Sequence, residues 1–230
     1  MTSTRLPGKV LQLIADHPLL YYHVKRVQQS GLPIYLAVTT NAADDPLAVF
    51  ATDTHIPLTR GDEHDVLSRY QQCAAQYELD IIVRVTSDCP LLDGALIAQG
   101  VHDYVQRNDP RLYLSNVSER TFPRGLDFEI FSRELLEEAA RKATLASDRE
   151  HVTPYIHQNR SGTVRFEHVV LPQNYSGYRL TVDTAEDFVL IQKLIEQYQA
   201  DTLSFDALIS LLDQHPELVA LNAHIEQKKI

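Results

Sequence analysis

The sequence Asp80-Ile81-Ile82-Val83-Arg84-Val85-Thr86 gives the clearest indication of a buried β-strand in this chain. It is an almost continuous run of branched apolar residues, which is typical of a strand that other elements cover on both faces. Residues 62–77 before it have apolar side chains at helical spacing, and residues 93–107 after it begin with the capping residue Asp93. A buried strand between two amphipathic helices predicts an α/β fold.

Strands and helices alternate along the rest of the chain. Asp16, Asp62, Ser147 and Thr184 stand at positions where their side chains can cap helices. The predicted strands cover residues 34–40, 56–59, 80–86, 112–115, 126–131, 163–171 and 178–182. This order favours a three-layer α/β/α arrangement around a mostly parallel mixed sheet.

Length and composition limit the classes of protein to which the chain can belong. Its 230 residues suit one domain, predicted to span residues 1–230 with a less regular substrate and dimerisation insert at about 110–180. The formal net charge of −10 disfavours nucleic acid as a partner, because a phosphate backbone needs a basic surface. Two cysteines, no membrane-length apolar run and no basic leader favour a cytoplasmic protein without a membrane partner.

Two aspartates directly follow predicted strands. Asp88 comes after residues 80–86, and Asp183 comes after residues 178–182. In open α/β sheets, ligands bind at the carboxyl ends of the strands, so these two carboxylates are the first candidates for a shared site. Mg²⁺ commonly takes one or two protein carboxylates and fills its other positions with water and substrate phosphates. The alternative is that each aspartate only caps the following helix or turn.

The opening segment Thr2-Ser-Thr-Arg-Leu-Pro-Gly-Lys9 is rich in hydroxyl and basic groups. A loop of this kind can hold a triphosphate through its backbone amides and the charges of Arg5 and Lys9. The alternative is a frayed terminus that carries two charges.

Residues 2–11 are similar to the Gly-Ser-Thr-Arg-Leu-Pro-Gly-Lys-Val-Leu loop of the cytidylyltransferase family that includes spore coat polysaccharide biosynthesis protein F and the CMP-sugar-acid synthetases. Further blocks resemble that family in the family's order, at residues 39–41 with 44–47, 60–67 with 69–70, 84–93, 125–131, 149–155 and 181–188. The resemblance covers nearly the whole chain to about residue 195.

The resemblance implies a nucleotide-diphospho-sugar transferase fold, with a sugar hydroxyl attacking the α-phosphate of CTP and pyrophosphate leaving. It implies Mg²⁺ as cofactor, CTP and a sugar or sugar acid as partners, and a homodimer. The implied catalytic residues are Arg5, Lys9 and Asp88, and the implied metal ligands are Asp88 and Asp183. The implied nucleotide contacts are Ser3, Thr4, Arg5, Lys9, Thr39, Arg60, Gly61 and Asp65, and the implied acceptor contacts are Asp127, Glu129, Arg149, Glu150 and His151.

Structural alternatives exist for several of these residues. Asp65 can be a helix cap, Glu150 can be the third residue of a capping box begun by Ser147, and His151 can be an ordinary helix residue. Asp127 and Glu129 share one face of a predicted strand, where they can be solvated acids. Cys89 is interpreted as a small buried side chain rather than a nucleophile.

The start of the chain departs from the family pattern. Family members begin with a strand before the loop, and Thr2 stands where that loop usually has glycine. We therefore expect the natural protein to be about ten residues longer, because losing a central strand would expose unpaired backbone. Two other functions compete: a non-catalytic nucleotide-binding homologue, and a glycosyltransferase, which usually carries an Asp-x-Asp motif that this sequence lacks.

Overall fold

Helices and strands alternate along the chain in the computed structural model, which describes residues 5–227. The strands are β1 (Leu13–Ile14), β2 (His17–Pro18), β3 (Leu36–Thr39), β4 (Leu58–Gly61), β5 (Ile81–Arg84), β6 (Leu112–Ser115), β7 (Glu129–Ser132) and β8 (Arg165–His168). The α-helices are α1 (Leu19–Gln28), α2 (Asp45–Asp53), α3 (Val66–Gln76), α4 (Gly94–Arg107), α5 (Arg133–Lys142), α6 (Ala146–His151), α7 (Pro154–His157), α8 (Ala185–Tyr198), α9 (Phe205–Gln214) and α10 (Pro216–Val219). Short 3-10 helices cover Lys9–Leu11, Ala42–Asp44 and Ala200–Thr202.

Within residues 5–227, the strands form three separate sheets, of which the largest is mixed. This four-stranded sheet has the order β5-β7-β6-β8, in which β6 and β8 are parallel and β7 is antiparallel to both of its neighbours. A second sheet pairs β3 with β4 in parallel, and β1 and β2 form a separate short antiparallel pair. The region at 110–180 supplies β6, β7 and β8, so it belongs to the main sheet, while its role in dimerisation stays a prediction.

Helices cover both faces of the four-stranded sheet. Successive residues of a strand point to opposite faces, so a strand can give apolar side chains to both layers of helices. On β6, Leu112 and Leu114 are buried in one apolar cluster, whereas Tyr113 between them is buried in another. The first cluster includes side chains of α1, α4, α8 and α9, and the second includes side chains of α3, α5 and α7. This arrangement gives the three layers that the alternating sequence pattern predicts.

Side-chain caps fix several helix starts. Asp93 accepts a hydrogen bond from the Ala95 amide at the start of α4, and Thr184 forms a capping box with Asp187 at the start of α8, as predicted. Two other predicted caps are wrong. Asp16 does not cap α1, which begins after Pro18, and Ser147 lies inside α6.

Other predicted boundaries also change. Helix α3 begins after Asp65, which caps it, and not at Asp62. Residues 178–182 do not form a regular strand, because they pair with the chain only through a bridge between Arg124 and Arg179 and nearby backbone contacts. Within residues 5–227, no helix combines the length and the apolar character that a membrane span requires.

Candidate functional site

The ammonium group of Lys9 lies between the two predicted carboxylates. Its Nζ donates to Oδ2 of Asp88 at 2.7 Å and to Oδ1 of Asp183 at 2.9 Å. These aspartates are far apart in the sequence, so only the folded chain brings them to one cation. The structure therefore brings together three of the residues that were assigned to the reaction centre.

Local structure explains how these side chains meet. Asp88 lies in the loop after β5, and Asp183 lies two residues before the first residue of α8. The Val182 amide donates to the Asp88 carbonyl at 2.8 Å, which ties the two loops together through the backbone. Lys9 opens a 3-10 helix directly after Gly8, whose φ of 67° turns the chain sharply at that point.

Positive charges surround Asp183. The Arg5 guanidinium lies 2.9 Å from Oδ2 of Asp183, and Nη2 of Arg179 donates to the same oxygen at 2.9 Å. Burial alone would raise the pKa of Asp183, but Lys9 and Arg179 together hold it below its usual value. Burial likewise would lower the pKa of Lys9, but Asp88 and Asp183 raise it. Lys9 and Asp183 are therefore both charged at neutral pH.

A third carboxylate, Asp187, holds this arrangement in place. Its side chain is fully buried and accepts from Nε and Nη2 of Arg179 at 2.8 and 2.9 Å. It also accepts from the amides of Asp183 and Thr184 at 3.0 and 3.1 Å. Arg179 was not identified from the sequence, because residues 178–183 are not helical and the spacing along them does not show that Arg179 meets Asp183 and Asp187.

The donor set of Asp88 and Asp183 fits a magnesium ion. Their two facing oxygens already share one cationic partner, Lys9, at hydrogen-bond distances. Mg²⁺ prefers carboxylate oxygens and commonly needs only one or two of them. No group of three or more histidine, cysteine, aspartate or glutamate side chains able to hold a metal occurs among residues 5–227.

Cys89 is a buried thiol beside this cluster. It is 2% exposed, and its Sγ lies 3.4 Å from Oγ1 of Thr86 and 3.8 Å from Oγ1 of Thr181. Burial, and then the negative charge of Asp88, raise the pKa of the thiol well above its usual value. A thiol that stays protonated is a poor nucleophile, which agrees with the interpretation of Cys89 as a packing residue.

Asp127 belongs to a group of charges that the sequence analysis did not identify. Arg120 donates to both of its carboxylate oxygens, at 2.6 and 3.2 Å. Burial, and then the like charge of Arg120, lower the pKa of Arg124, on which Arg179 and Asp127 also act. A backbone bridge between Arg124 and Arg179 places Arg124 beside the residue that contacts Asp183.

Gly125 brings this group against the loop before Asp183. Its φ is +98°, and a Cβ at this position would lie 2.5 Å from the carbonyl carbon of Leu180. The Leu180 amide donates to the carbonyl of Arg124 at 2.7 Å. Only glycine permits this close backbone approach without strain, which explains the glycine at position 125.

The predicted nucleotide contacts Thr39, Arg60 and Gly61 lie together at the ends of β3 and β4. Nε of Arg60 donates to the carbonyl of Thr39 at 2.8 Å, and Thr39 itself donates to Oδ2 of Asp44. A Cβ on Gly61 would lie 2.8 Å from Cγ of Arg69. These residues therefore already have structural contacts that shape the loop.

Asp65 and Arg149, which were assigned to different substrates, form one ion pair. Nε of Arg149 donates to Oδ2 of Asp65 at 3.0 Å, and Nη1 of Arg149 donates to the carbonyl of Ala140 at 2.8 Å. Asp65 also caps α3 by accepting from the Ser68 amide at 2.9 Å. The pair joins α3, α5 and α6.

Glu129 is buried, with 5% of its surface exposed, and does not stand among solvated acids. Arg84 and Tyr113 both donate to its carboxylate. Burial would raise the pKa of Glu129, but the charge of Arg84 and these hydrogen bonds lower it.

Glu150 is exposed and borders a cleft between β3 and β5, and His151 ends α6 partly exposed. The predicted contacts Ser3 and Thr4 lie outside the described residues.

Comparison with known proteins shows the family to which this chain is similar. The family model for cytidylyltransferases matches residues 1–230. The spore coat polysaccharide biosynthesis protein SpsF of Bacillus subtilis is 30% identical over 227 residues, covering 94% of this chain and 92% of that protein. A 3-deoxy-manno-octulosonate cytidylyltransferase of Solibacter usitatus is 34% identical over 111 residues, covering 47% of this chain and 43% of that protein.

A solved structure gives the same result. The cytidylyltransferase from Leptospira borgpetersenii serovar Hardjo-bovis superposes with a TM-score of 0.88 at 30% identity, and the match covers 100% of this chain and 95% of that one. The predicted α/β fold of the nucleotide-diphospho-sugar transferase type is thereby confirmed. The chain belongs to the cytidylyltransferase family.

Proposed function

We propose that this protein transfers CMP from CTP to a sugar or sugar acid and releases pyrophosphate, as a step in the synthesis of a surface polysaccharide or glycan. The observation that carries the proposal is the cluster in which Lys9 joins Asp88 and Asp183. In the reaction, an oxygen of the acceptor hydroxyl forms a bond to the α-phosphorus. The bond from that phosphorus to the bridging oxygen of pyrophosphate breaks, and the hydroxyl proton passes to water.

Arg5 and Lys9 bind the triphosphate in this proposal. Lys9 exchanges its carboxylate partners for phosphate oxygens when the nucleotide enters, and Arg5 turns from Asp183 to the same phosphates. Nucleotidyl transfer needs no covalent nucleophile, because positioning and neutralisation of charge supply most of the rate enhancement. Two movable cations beside two fixed carboxylates suit that requirement.

Asp88 and Asp183 would hold Mg²⁺, which supplies neutralisation of phosphate charge when it is bound. Arg179 and Asp187 keep Asp183 oriented, since both contact it and both are buried. With a dication bound, Asp88 and Asp183 would keep the same balancing charge after both Lys9 and Arg5 turn to the phosphates. The exchange therefore frees Lys9 for the substrate without leaving either aspartate unpaired.

We assign the acceptor to the side of the cluster where Asp127, Arg120 and Arg124 lie. The guanidinium of Arg124 near other positive charges suits an acceptor that carries a carboxylate. The relative from Solibacter usitatus is named for 3-deoxy-manno-octulosonate, which supports a sugar acid. SpsF is named for spore coat polysaccharide biosynthesis, which supports a role in making a polysaccharide.

The other predicted contacts keep indirect roles in this proposal. Thr39, Arg60, Gly61 and Asp65 shape the loops beside the nucleotide. Glu129, Arg149, Glu150 and His151 position the acceptor side of the site.

The first test is the thermal shift of the 230-residue chain with CTP, UTP, ATP and GTP, each with and without Mg²⁺. A ligand that binds only the folded state raises the melting temperature. We expect a CTP-selective shift that depends on Mg²⁺ and that Asp88→Ala and Asp183→Ala abolish. Glu167→Ala is the matched control, because this carboxylate pairs with Arg107 in a surface ion pair.

Release of pyrophosphate from CTP in the presence of sugar acids then tests turnover. A CTP-selective shift without pyrophosphate release from any acceptor would favour a non-catalytic nucleotide-binding protein. Hydrolysis of a nucleotide sugar without use of CTP would favour a glycosyltransferase. The proposal also includes a homodimer in the cytoplasm, which sedimentation and cell fractionation would test.

A further inference from the structure

The residues that follow α10 lie against the start of α8. Helix α8 begins two residues after Asp183 and runs for 14 residues, so its far end lies roughly 20 Å away. Helices α9 and α10 bring the chain back across that distance. Leu218 is 4% exposed, and Leu221 packs against the same apolar cluster, which fixes the end of α10 on the core. The residues that come next, 222–227, are called the return segment.

Asn222 is the buried residue of the return segment, with 2% of its surface exposed. Its Nδ2 donates to the carbonyl of Arg179 at 3.0 Å and to Oδ1 of Asp187 at 2.8 Å. Both of these partners are acceptors, so the NH2 group must face them, and its two hydrogens supply both bonds. The amide of Asn222 is therefore fixed on the two residues that hold Asp183.

Gln227 contacts the same arginine at its other end. Nη1 of Arg179 donates to Oε1 of Gln227 at 2.6 Å, although Gln227 itself is exposed. Nε and Nη2 of the same guanidinium donate to Asp187 and Asp183. The return segment therefore holds Arg179 both at its backbone and at its guanidinium.

We propose that Asn222 is a positioning residue for the reaction centre, and that it acts through Asp187 and Arg179 on the orientation of Asp183. The connection is continuous, because Asp187 accepts from the Asp183 amide and Arg179 donates to Oδ2 of Asp183. Loss of the hydrogen bonds that orient a metal-ligating side chain typically costs about 10–100-fold in metal affinity or activity. The inference rests on the proposed transfer of CMP, in which Asp183 holds Mg²⁺.

The other role open to Asn222 is to fasten the return segment to the core. That role predicts a less stable protein whose reaction centre is unchanged. The two roles therefore differ in the local order of residues 183–187 and in the requirement for Mg²⁺.

The test compares Asn222→Ala with the unchanged protein. In the absence of ligands, we expect the amides of Asp183 and Asp187 to exchange about tenfold faster. The Mg²⁺ concentration that gives half of the CTP-dependent thermal shift should rise about tenfold. Asn222→Asp keeps the shape of the side chain but removes both donors, so it should change both quantities at least as much.

Leu136→Ala is the control for lost stability, because Leu136 is fully buried in the other apolar cluster. It should lower the melting temperature and leave the Mg²⁺ requirement unchanged. Gln227→Ala removes an exposed contact to Arg179, which leaves the core intact if Asn222→Ala does not fold. It should raise the Mg²⁺ requirement about two- to threefold.

Asn222→Ala in the Asp187→Ala background tests the route of the effect. If Asn222 acts through Asp187, the second change should add less than about twofold to the Mg²⁺ requirement. Fully additive effects would overturn the proposal, as would unchanged exchange at residues 183–187 in Asn222→Ala. Absence of any CTP-dependent shift in the unchanged protein would instead refute the proposed transfer, and the exchange comparison would still show whether Asn222 holds Asp183.

Discussion

Replacement of Asp187 by alanine tests whether its buried carboxylate holds the site together. Asp187 is fully buried, and Arg179, its partner, is only 7% exposed. Removing one partner of a buried ion pair costs about 3–5 kcal/mol, and here, within the described part of the chain, the Arg179 guanidinium would keep only Asp183 and Gln227 as side-chain partners. For a chain of this size, each kcal/mol lowers the melting temperature by about 2–4 °C, so Asp187→Ala should lower it by roughly 6–20 °C.

Urea unfolding and thermal unfolding at pH 7 measure this effect. Glu167→Ala removes an ion pair with Arg107 at the surface and should leave the melting temperature nearly unchanged. Asp187→Asn keeps an oxygen for the amides of Asp183 and Thr184 but loses the charge that faces Arg179, so its loss should be intermediate.

Arg179→Met in the Asp187→Ala background removes the guanidinium that has lost its Asp187 partner and should recover part of the stability. A loss of less than 2 °C for Asp187→Ala, or no recovery in the double variant, would refute the reasoning.

Three further predictions concern the same region. The pKa values of Asp183 and Asp187 lie below the ordinary value of 3.8. The stability that these carboxylates contribute is therefore present above pH 3.8 and is lost as the pH falls through the lowered values. Melting temperatures measured from pH 7 to pH 2 should show this loss, and the loss should be smaller in Asp187→Ala. Cys89→Ala should keep at least half of any CMP transfer, because the buried thiol stays protonated; loss of turnover with normal CTP binding would contradict this. Gly125→Ala should cost about 1–3 kcal/mol or more, since φ is +98° and the new Cβ would strike the backbone of Leu180; unchanged urea unfolding would disprove it.

Local patterns in the sequence were reliable where one segment decides the outcome. The apolar run at 80–86 contains β5, and Asp93 and Thr184 cap helices as predicted, because a cap depends only on neighbouring backbone amides. Prediction failed at residues 178–182, which alternate like a strand. Their close approach to Gly125 leaves only one bridge there, and nothing in residues 178–182 themselves reveals that contact.

In the candidate site, too, local features could be predicted and contacts between distant segments could not. Polar residues after strands identified Asp88 and Asp183, because ligand sites of α/β folds lie at the ends of strands. Ion pairs and hydrogen bonds between distant segments could not be predicted from the sequence. Asp65 and Arg149 were assigned to different substrates, yet they form one ion pair, and Glu129 is held internally by Arg84 and Tyr113.

By itself, the amino-acid sequence indicated the class of fold and the family, and it predicted two carboxylates as candidates for the site, since these follow from residue types and from local blocks of sequence. Only the tertiary structure decided that Lys9 joins Asp88 to Asp183, that Asp187 and Arg179 hold Asp183, and that an apolar cleft separates β3 from β5. The physical reason is distance along the chain. Contacts between residues that are remote in sequence depend on how whole layers pack, and no local pattern encodes that packing.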